Sequence, residues 1–154
     1  MEPRAAAPQR RFETIKRLSG AGIPVRVLVA PVIPVLNDSQ LETILERGHA
    51  AGATSAGYIL LRLLQEIRNL FVEWLHQHYT LKAEHVLARI RDSRRGKDYD
   101  SRFGVRMRGT GIYADLIAKR LALYVSRLGL NAESTLDCTQ FHAPELPGQQ
   151  LSLL

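Results

Sequence analysis

The sequence predicts an α/β fold. Two β-branched or apolar runs, residues 23–30 and 56–63, follow segments of helical periodicity, and the loop after the first run carries two prolines. Helix, strand, loop, helix, strand is the order of parallel α/β units, in which the loops after strands carry ligands. The first helix is expected over residues 8–18, with Pro8 in the first turn, Phe12, Ile15 and Leu18 on one face, and Gly20 and Gly22 stopping it. Ile23 to Ala30 reads as a buried strand bounded by glycine and proline. Pro31 and Pro34 then forbid helix and stiffen the loop to Asn37 and Asp38. Ser39 and Glu42 have capping-box spacing, and Leu41, Ile44 and Leu45 carry the next helix towards Gly52.

The second apolar run ends at Arg62, and its boundary is ambiguous because Leu60, Leu63, Leu64, Ile67, Phe71 and Trp74 also fit a helix. A helix is expected over 65–78, a short one around Val86, Leu87 and Ile90, and a longer one from Ile112 to Leu128 closed by Gly129. A polar, proline-containing tail follows from Asn131. Two parallel strands cannot close a barrel and leave edges unpaired, so the chain reads as the second half of something larger.

A chain of 154 residues that is 45% hydrophobic and 23% charged belongs to the soluble globular class. No apolar run approaches the roughly 18 residues of a membrane span, and the amino-terminal stretch has no signal-peptide core. These features predict a cytoplasmic protein with no membrane partner. Cys138 is the single cysteine, which excludes an intramolecular disulfide, a thiolate zinc site, or an iron–sulfur cluster held by this chain alone.

The formal charge of +6 is concentrated. Between residues 89 and 108 stand Arg89, Arg91, Arg94, Arg95, Lys97, Arg102, Arg106 and Arg108 against Asp92, Asp98 and Asp100. With Tyr99 and Phe103 interleaved, this block suits a nucleic-acid partner through phosphate contact and base stacking. The competing expectation is internal pairing with the three aspartates.

No complete catalytic or metal-binding constellation emerges. His76 and His78 are two apart on a helix and point away from one another, so with His85, Glu73 and Glu84 they read as surface residues and not as a metal site. Cys138 with His142 lies in a tail that offers no pocket to lower the thiol pKa. Arg62, at the carboxyl edge of the second strand, suits a carboxylate or phosphate ligand or, equally, a salt bridge to a loop. Asn37 and Asp38 reach the same edge, where Asp38 also suits a helix cap. Gly109-Thr110-Gly111 enters a helix and reads as a turn or as an anion-facing loop.

Several stretches together carry a resemblance. They are Met1-Glu2-Pro3-Arg4, Ala21-Gly22-Ile23-Pro24-Val25, Ala30-Pro31-Val32-Ile33-Pro34 through Leu36-Asn37-Asp38, Ala56-Gly57-Tyr58-Ile59-Leu60-Leu61-Arg62-Leu63, Asp98-Tyr99-Asp100-Ser101-Arg102-Phe103-Gly104, and Arg106-Met107-Arg108-Gly109-Thr110-Gly111. In this order the chain resembles the carboxyl-terminal half of radical S-adenosylmethionine proteins of the spore-photoproduct-lyase-like, DNA-repair-photolyase group. The resemblance implies an incomplete (β/α)6 TIM-like barrel, with carboxyl-terminal βα units in residues 1–79, a basic helical extension in 80–130 and a polar tail in 131–154. It implies S-adenosylmethionine and a 4Fe–4S cluster as the cofactors of the parent enzyme, and an activity of the lyase or DNA-repair kind, with nucleic acid as the substrate suggested by the family and the arginine block. The cluster-binding cysteines belong to the other half of such proteins, so this chain alone is expected to be inactive, with no catalytic residue and no metal ligand of its own. Carried over by position, Ile33 packs on adenine, Glu2 and Arg4 lie near the ribose and carboxylate of the cofactor, and Asn37 and Arg62 line the same mouth. The partner implied is a separately encoded amino-terminal half. Two departures stand out: Val35 occupies a position that is usually glycine, which predicts strain if the backbone there needs positive φ, and Leu64 replaces a common proline.

Overall fold

The computed structural model describes residues 5–133, 139 and 141. Helix α1 (Pro8–Gly20) starts with proline in its first turn, where a missing N–H costs nothing, and turns Phe12 and Ile15 inwards. Strand β1 (Arg26–Val32) and strand β2 (Ser55–Leu60) are joined by helix α2 (Leu41–Ala50) and pair in parallel, with Val27 opposite Ala56 and Val29 opposite Tyr58. The register shifts between Val29 and Val32, and the Ala30–Pro31 peptide is cis. Helices α3 (Gln65–His78), α4 (Ala83–Asp92) and α5 (Ile112–Leu128) follow. Helix α5 ends on Gly129 in the left-handed conformation, φ 66°, the usual glycine stop.

Two apolar clusters hold these elements. In the first, Val27, Val29 and Tyr58 of the sheet meet Leu41 and Leu45 of α2 and Ile117 and Leu121 of α5. In the second, Phe71 and Leu75 of α3 meet Val86, Leu87 and Ile90 of α4, with Ile33 and Leu63 beneath them. The division follows from the sequence periods: alternate residues of each strand point to one face, whereas residues three and four apart line one side of each helix.

The expectation of an incomplete (β/α)6 TIM-like barrel is corrected by this architecture. Among the described residues there are five α-helices and one two-stranded parallel sheet, which makes a small α-rich domain. Beyond Leu60 the apolar residues recur at helical spacing and form α3, α4 and α5. No β-branched run remains to extend the sheet. Helix α5 packs on β2 and α2, and α3 and α4 close a cluster of their own instead of flanking another strand.

The capping box is also corrected. Gln40, not Ser39, precedes α2, without a side-chain cap, because Asp38–Gln40 form a short 3-10 turn. Glu42 instead accepts two hydrogen bonds from Arg120 of α5, at 2.6 and 2.7 Å, which ties α2 to α5.

Candidate functional site

The carboxyl end of β2 is where distant segments converge. Leu60 donates its N–H to the Met107 carbonyl at 2.9 Å. Arg94, 1% exposed, donates from Nη2 to the Leu61 carbonyl and from Nη1 to the Val105 carbonyl, each at 3.0 Å. Gly109 (φ 77°) completes the enclosure, since a Cβ there would lie 3.0 Å from both Leu60 Cδ1 and the Ser93 carbonyl. Only glycine satisfies both the backbone angle and that close approach.

Next to this junction, Arg62 donates from Nη2 to the Tyr99 hydroxyl at 3.1 Å, with its guanidinium 5.9 Å from the Tyr99 ring centre. Its Nε is buried without a partner. The other orphaned atom among the described residues is the Tyr58 hydroxyl, whose ring lies 5.4 Å beneath the Arg108 guanidinium. Tyr99, Asp98 and Lys97 form one wall of a cleft of about 500 Å³, and Leu63, Gln65, Arg68 and Asn69 form the other. Asp98 accepts from Arg68 at Oδ2 and from Arg91 at Oδ1. Burial alone would raise its pKa, but the two guanidinium hydrogen bonds outweigh that and hold it below the ordinary carboxylate range. Asp100 is gripped by Arg102 from both Nε and Nη2, which depresses its pKa strongly. Arg94 is shifted down, first by burial, with Asp100 opposing and the nearby Arg62 charge adding to the shift.

The arginine block is therefore partly spent within the fold. Arg89 pairs with Asp92, Arg91 with Asp98 and Arg102 with Asp100, and Arg94 binds backbone carbonyls. Among the described residues, Arg95, Lys97, Arg106 and Arg108 make no ion pair, and Arg106 lies 5.5 Å from the ring centre of Phe103, which is 90% exposed.

Of the cofactor-facing residues implied by the resemblance, Ile33 and Asn37 meet in the loop beyond β1. Ile33 is buried in the second apolar cluster, against Leu63 and the α3–α4 pair. Asn37 closes its own loop, accepting from the Ile33 N–H at 2.7 Å and donating to the Pro31 carbonyl at 3.0 Å. Glu2 and Arg4 lie outside the described residues, as do Cys138 and His142. Arg62 lies two residues beyond β2, and Asn37 lines the groove of about 810 Å³ beside β1. Asp38 does not cap a helix; its Oδ2 accepts from the Tyr113 hydroxyl at 2.7 Å. The glycine loop before α5 opens on a cleft that Asp38 and Asp92 line as well as Arg89, so carboxylates face it. His76 lies 3.5 Å from Glu84, and no group of histidine, cysteine or carboxylate side chains suited to a metal occurs among the described residues.

Sequence reasoning missed two features. Arg94 is indistinguishable in composition from its neighbours, and it lies two residues beyond the end of α4, where no helical period marks it as buried. The links from Tyr113 to Asp38 and from Arg120 to Glu42 span 75 and 78 residues, and no local pattern announces them.

No family model matches the chain, and no solved structure matches it. Over 77 residues it is 38% identical to proteins of Mycobacterium tuberculosis and Mycobacterium bovis described as uncharacterized. The match takes in 49% of this chain and spans 23% of the length of those relatives. No helix among the described residues is long and apolar enough to cross a membrane.

The cofactors implied by the resemblance can be tested against these side chains. A 4Fe–4S cluster needs several thiolates, and the chain contains one cysteine, so its residues do not fit the cluster. Of the positions that the resemblance places near S-adenosylmethionine, Ile33 and Asn37 hold the loop beyond β1, and Glu2 and Arg4 lie outside the described residues. No reaction step is assigned to this chain.

Proposed function

We propose that this chain is the carboxyl-terminal portion of a radical S-adenosylmethionine iron–sulfur enzyme of the cytoplasm, with the cluster held elsewhere in the protein and no catalysis by the chain alone. The observation that carries the reading is the convergence at the end of β2. The stretches on which the resemblance rests are scattered along the sequence, yet Leu60 to Arg62, Tyr99 and Met107 to Gly109 meet there. Ligands of parallel α/β units bind at that end of the strands. The portion's own contribution is to hold Arg62 and the basic turn where a substrate approaches.

The test uses the full-length Mycobacterium tuberculosis relative beside this chain. After anaerobic reconstitution with iron and sulfide, the relative should take up iron, absorb near roughly 400 nm as thiolate-held clusters do, and release 5′-deoxyadenosine from S-adenosylmethionine when reduced. This chain should bind no iron. A relative that forms no cluster overturns the reading, as does a stoichiometric cluster on this chain alone.

A small nucleic-acid-binding module is the second reading, favoured by exposed Phe103 beside Arg106. It requires single-stranded oligonucleotide binding that weakens steeply with salt.

A further inference from the structure

We propose that the outer edge of β1 takes up an extended segment of a partner protein, in which apolar and acidic residues alternate, as an added strand. The inference goes beyond the enzyme reading above and requires neither a cluster nor S-adenosylmethionine.

The backbone carries the first part of the argument. Among the described residues, β2 is the one strand that pairs with β1. Thr54 donates to the Val25 carbonyl at 3.0 Å, so alternation turns the backbone groups of Val27 and Val29 towards β2. Those of Arg26, Leu28 and Ala30 face outwards. At about 3.3 Å per residue, this edge is roughly 17 Å long, the length of an average strand. Pro31, with no N–H to donate, ends it. Alternating donors and acceptors are met by another polypeptide strand, whereas phosphodiester groups bring acceptors alone.

The side chains around the edge set the chemistry of that strand. Phe12, Ile15 and Ile44, from α1 and α2, line the groove of about 810 Å³ beside β1. Every second residue of an added strand faces these helices, and an apolar side chain there leaves water. Arg26 and Leu28 stand on the other face of the sheet, since Val27 and Val29 pack towards the helices. Arg11, Arg26 and Arg47 line the groove, and no carboxylate among the described residues does. Arg26 and Arg47 are exposed and make no ion pair among the described residues. Both are nonetheless held in place. Arg26 donates to the Ala56 carbonyl at 3.2 Å, and Arg47 donates to Gln9 Oε1 at 2.9 Å with its guanidinium 4.3 Å from the Phe12 ring centre. Acidic residues in the incoming segment supply the missing counter-charge. A second copy of this chain would bring the same three arginines to the contact, so an acidic strand is the better occupant.

The experiment adds end-blocked heptapeptides to the whole chain, followed by backbone amide NMR, amide hydrogen exchange and sedimentation. One peptide alternates valine and glutamate, the second alternates valine and lysine, and the third is the first with every amide N-methylated. The valine–glutamate peptide should give saturable shifts over residues 26–30, slow exchange at the Arg26 and Leu28 amides, and displace any association between copies at that edge. Its affinity should fall as salt rises. The other two peptides should give no saturable response. Arg26→Gln and Arg47→Gln should each weaken the valine–glutamate peptide about two- to fivefold at low salt, the loss of one exposed ion pair. Any of four results overturns the inference. They are no saturable response to the valine–glutamate peptide, an equal response to either control peptide, affinity unchanged in both arginine variants, or edge shifts with a single-stranded oligonucleotide alone. Edge amides protected by association between copies that the peptide does not displace would assign the edge to a second copy, and would overturn it too.

Discussion

Arg94 is the residue on which the end of the sheet most depends. It replaces missing hydrogen-bond donors for two carbonyls from segments 44 residues apart, Leu61 and Val105. Removing it would leave both carbonyls without these donors and open a void, so Arg94→Ala should cost about 2–6 kcal/mol by urea unfolding, at about 1–3 kcal/mol for each unmet acceptor. Lysine has the charge without the planar fork, and Arg94→Lys should recover only part of the loss. Val35 is the opposite case. Its φ of 68° lies in the left-handed region, where a β-branched side chain is strained by about 1–2 kcal/mol. The sequence made this strain legible through the family pattern of the proline loop. Because Val35 also packs partly on the second cluster, Val35→Gly should gain about 1 kcal/mol, seen as a higher urea midpoint with an unchanged slope. Asn37 teaches a different lesson. Its position at the sheet edge was readable, but its use was not, because an amide that staples its own loop and one that binds a ligand look alike in sequence.

At the scale of elements, the helices were the most legible part. Residues 65–78 and 112–128 carry unbroken apolar periods, and α3 and α5 occupy those spans. The second strand was readable to its start, and its end was not, because Leu60 to Leu64 satisfies both periods and the missing proline removes the boundary signal. Contacts between elements follow from tertiary geometry that no local pattern records. Gly48 illustrates this: a glycine inside α2 is disfavoured by about 1 kcal/mol relative to alanine, yet a Cβ there would come within 2.6 Å of Val27 Cγ2. Gly48→Ala should therefore destabilise the fold, by about 1–3 kcal/mol as overpacking does, even though it improves helix propensity. Circular dichroism during thermal unfolding reads the sign. The α2–α5 link has a pH signature. Hydrogen bonds from Arg120 hold the Glu42 pKa below its ordinary 4.5, against an opposing effect of burial. Over the interval between the two values the unfolded chain binds more protons, so stability rises with pH there and is lost as pH falls through the folded value. Glu42→Gln should cost about 1 kcal/mol at neutral pH and progressively less below the ordinary carboxylate pKa, as measured by urea unfolding across that range.

For the whole molecule, the unequal edges of the sheet matter most. The amino-terminal end of β2 is joined on its outer side by the chain after α5, through the Leu130 carbonyl to the Ala56 N–H and through Ala132 to the Thr54 carbonyl. The outer edge of β2 is thus covered at both of its ends, by Leu130 and by Met107, and β1 keeps an open edge. There Val25 turns its carbonyl towards Thr54, so the alternation of backbone groups aims those of Arg26 and Leu28 away from β2. Leu28 is 52% exposed, and Phe12, Ile15 and Ile44 line the groove of about 810 Å³ beside it. The barrel expectation failed at this scale because a strand count read from half-buried runs says where sheet can form, not how helices will cover it. An unpaired parallel edge with an exposed leucine templates association. The isolated chain should accordingly show a sedimentation coefficient that rises with concentration. Leu28→Lys places a charge on that edge without touching the buried Val27 and Val29 face, and it should shift the chain to monomer with little change in unfolding temperature. If association persists unchanged in Leu28→Lys, the contact lies elsewhere, and the exposed Leu70 and Leu81 on the α3–α4 side become the surface to alter.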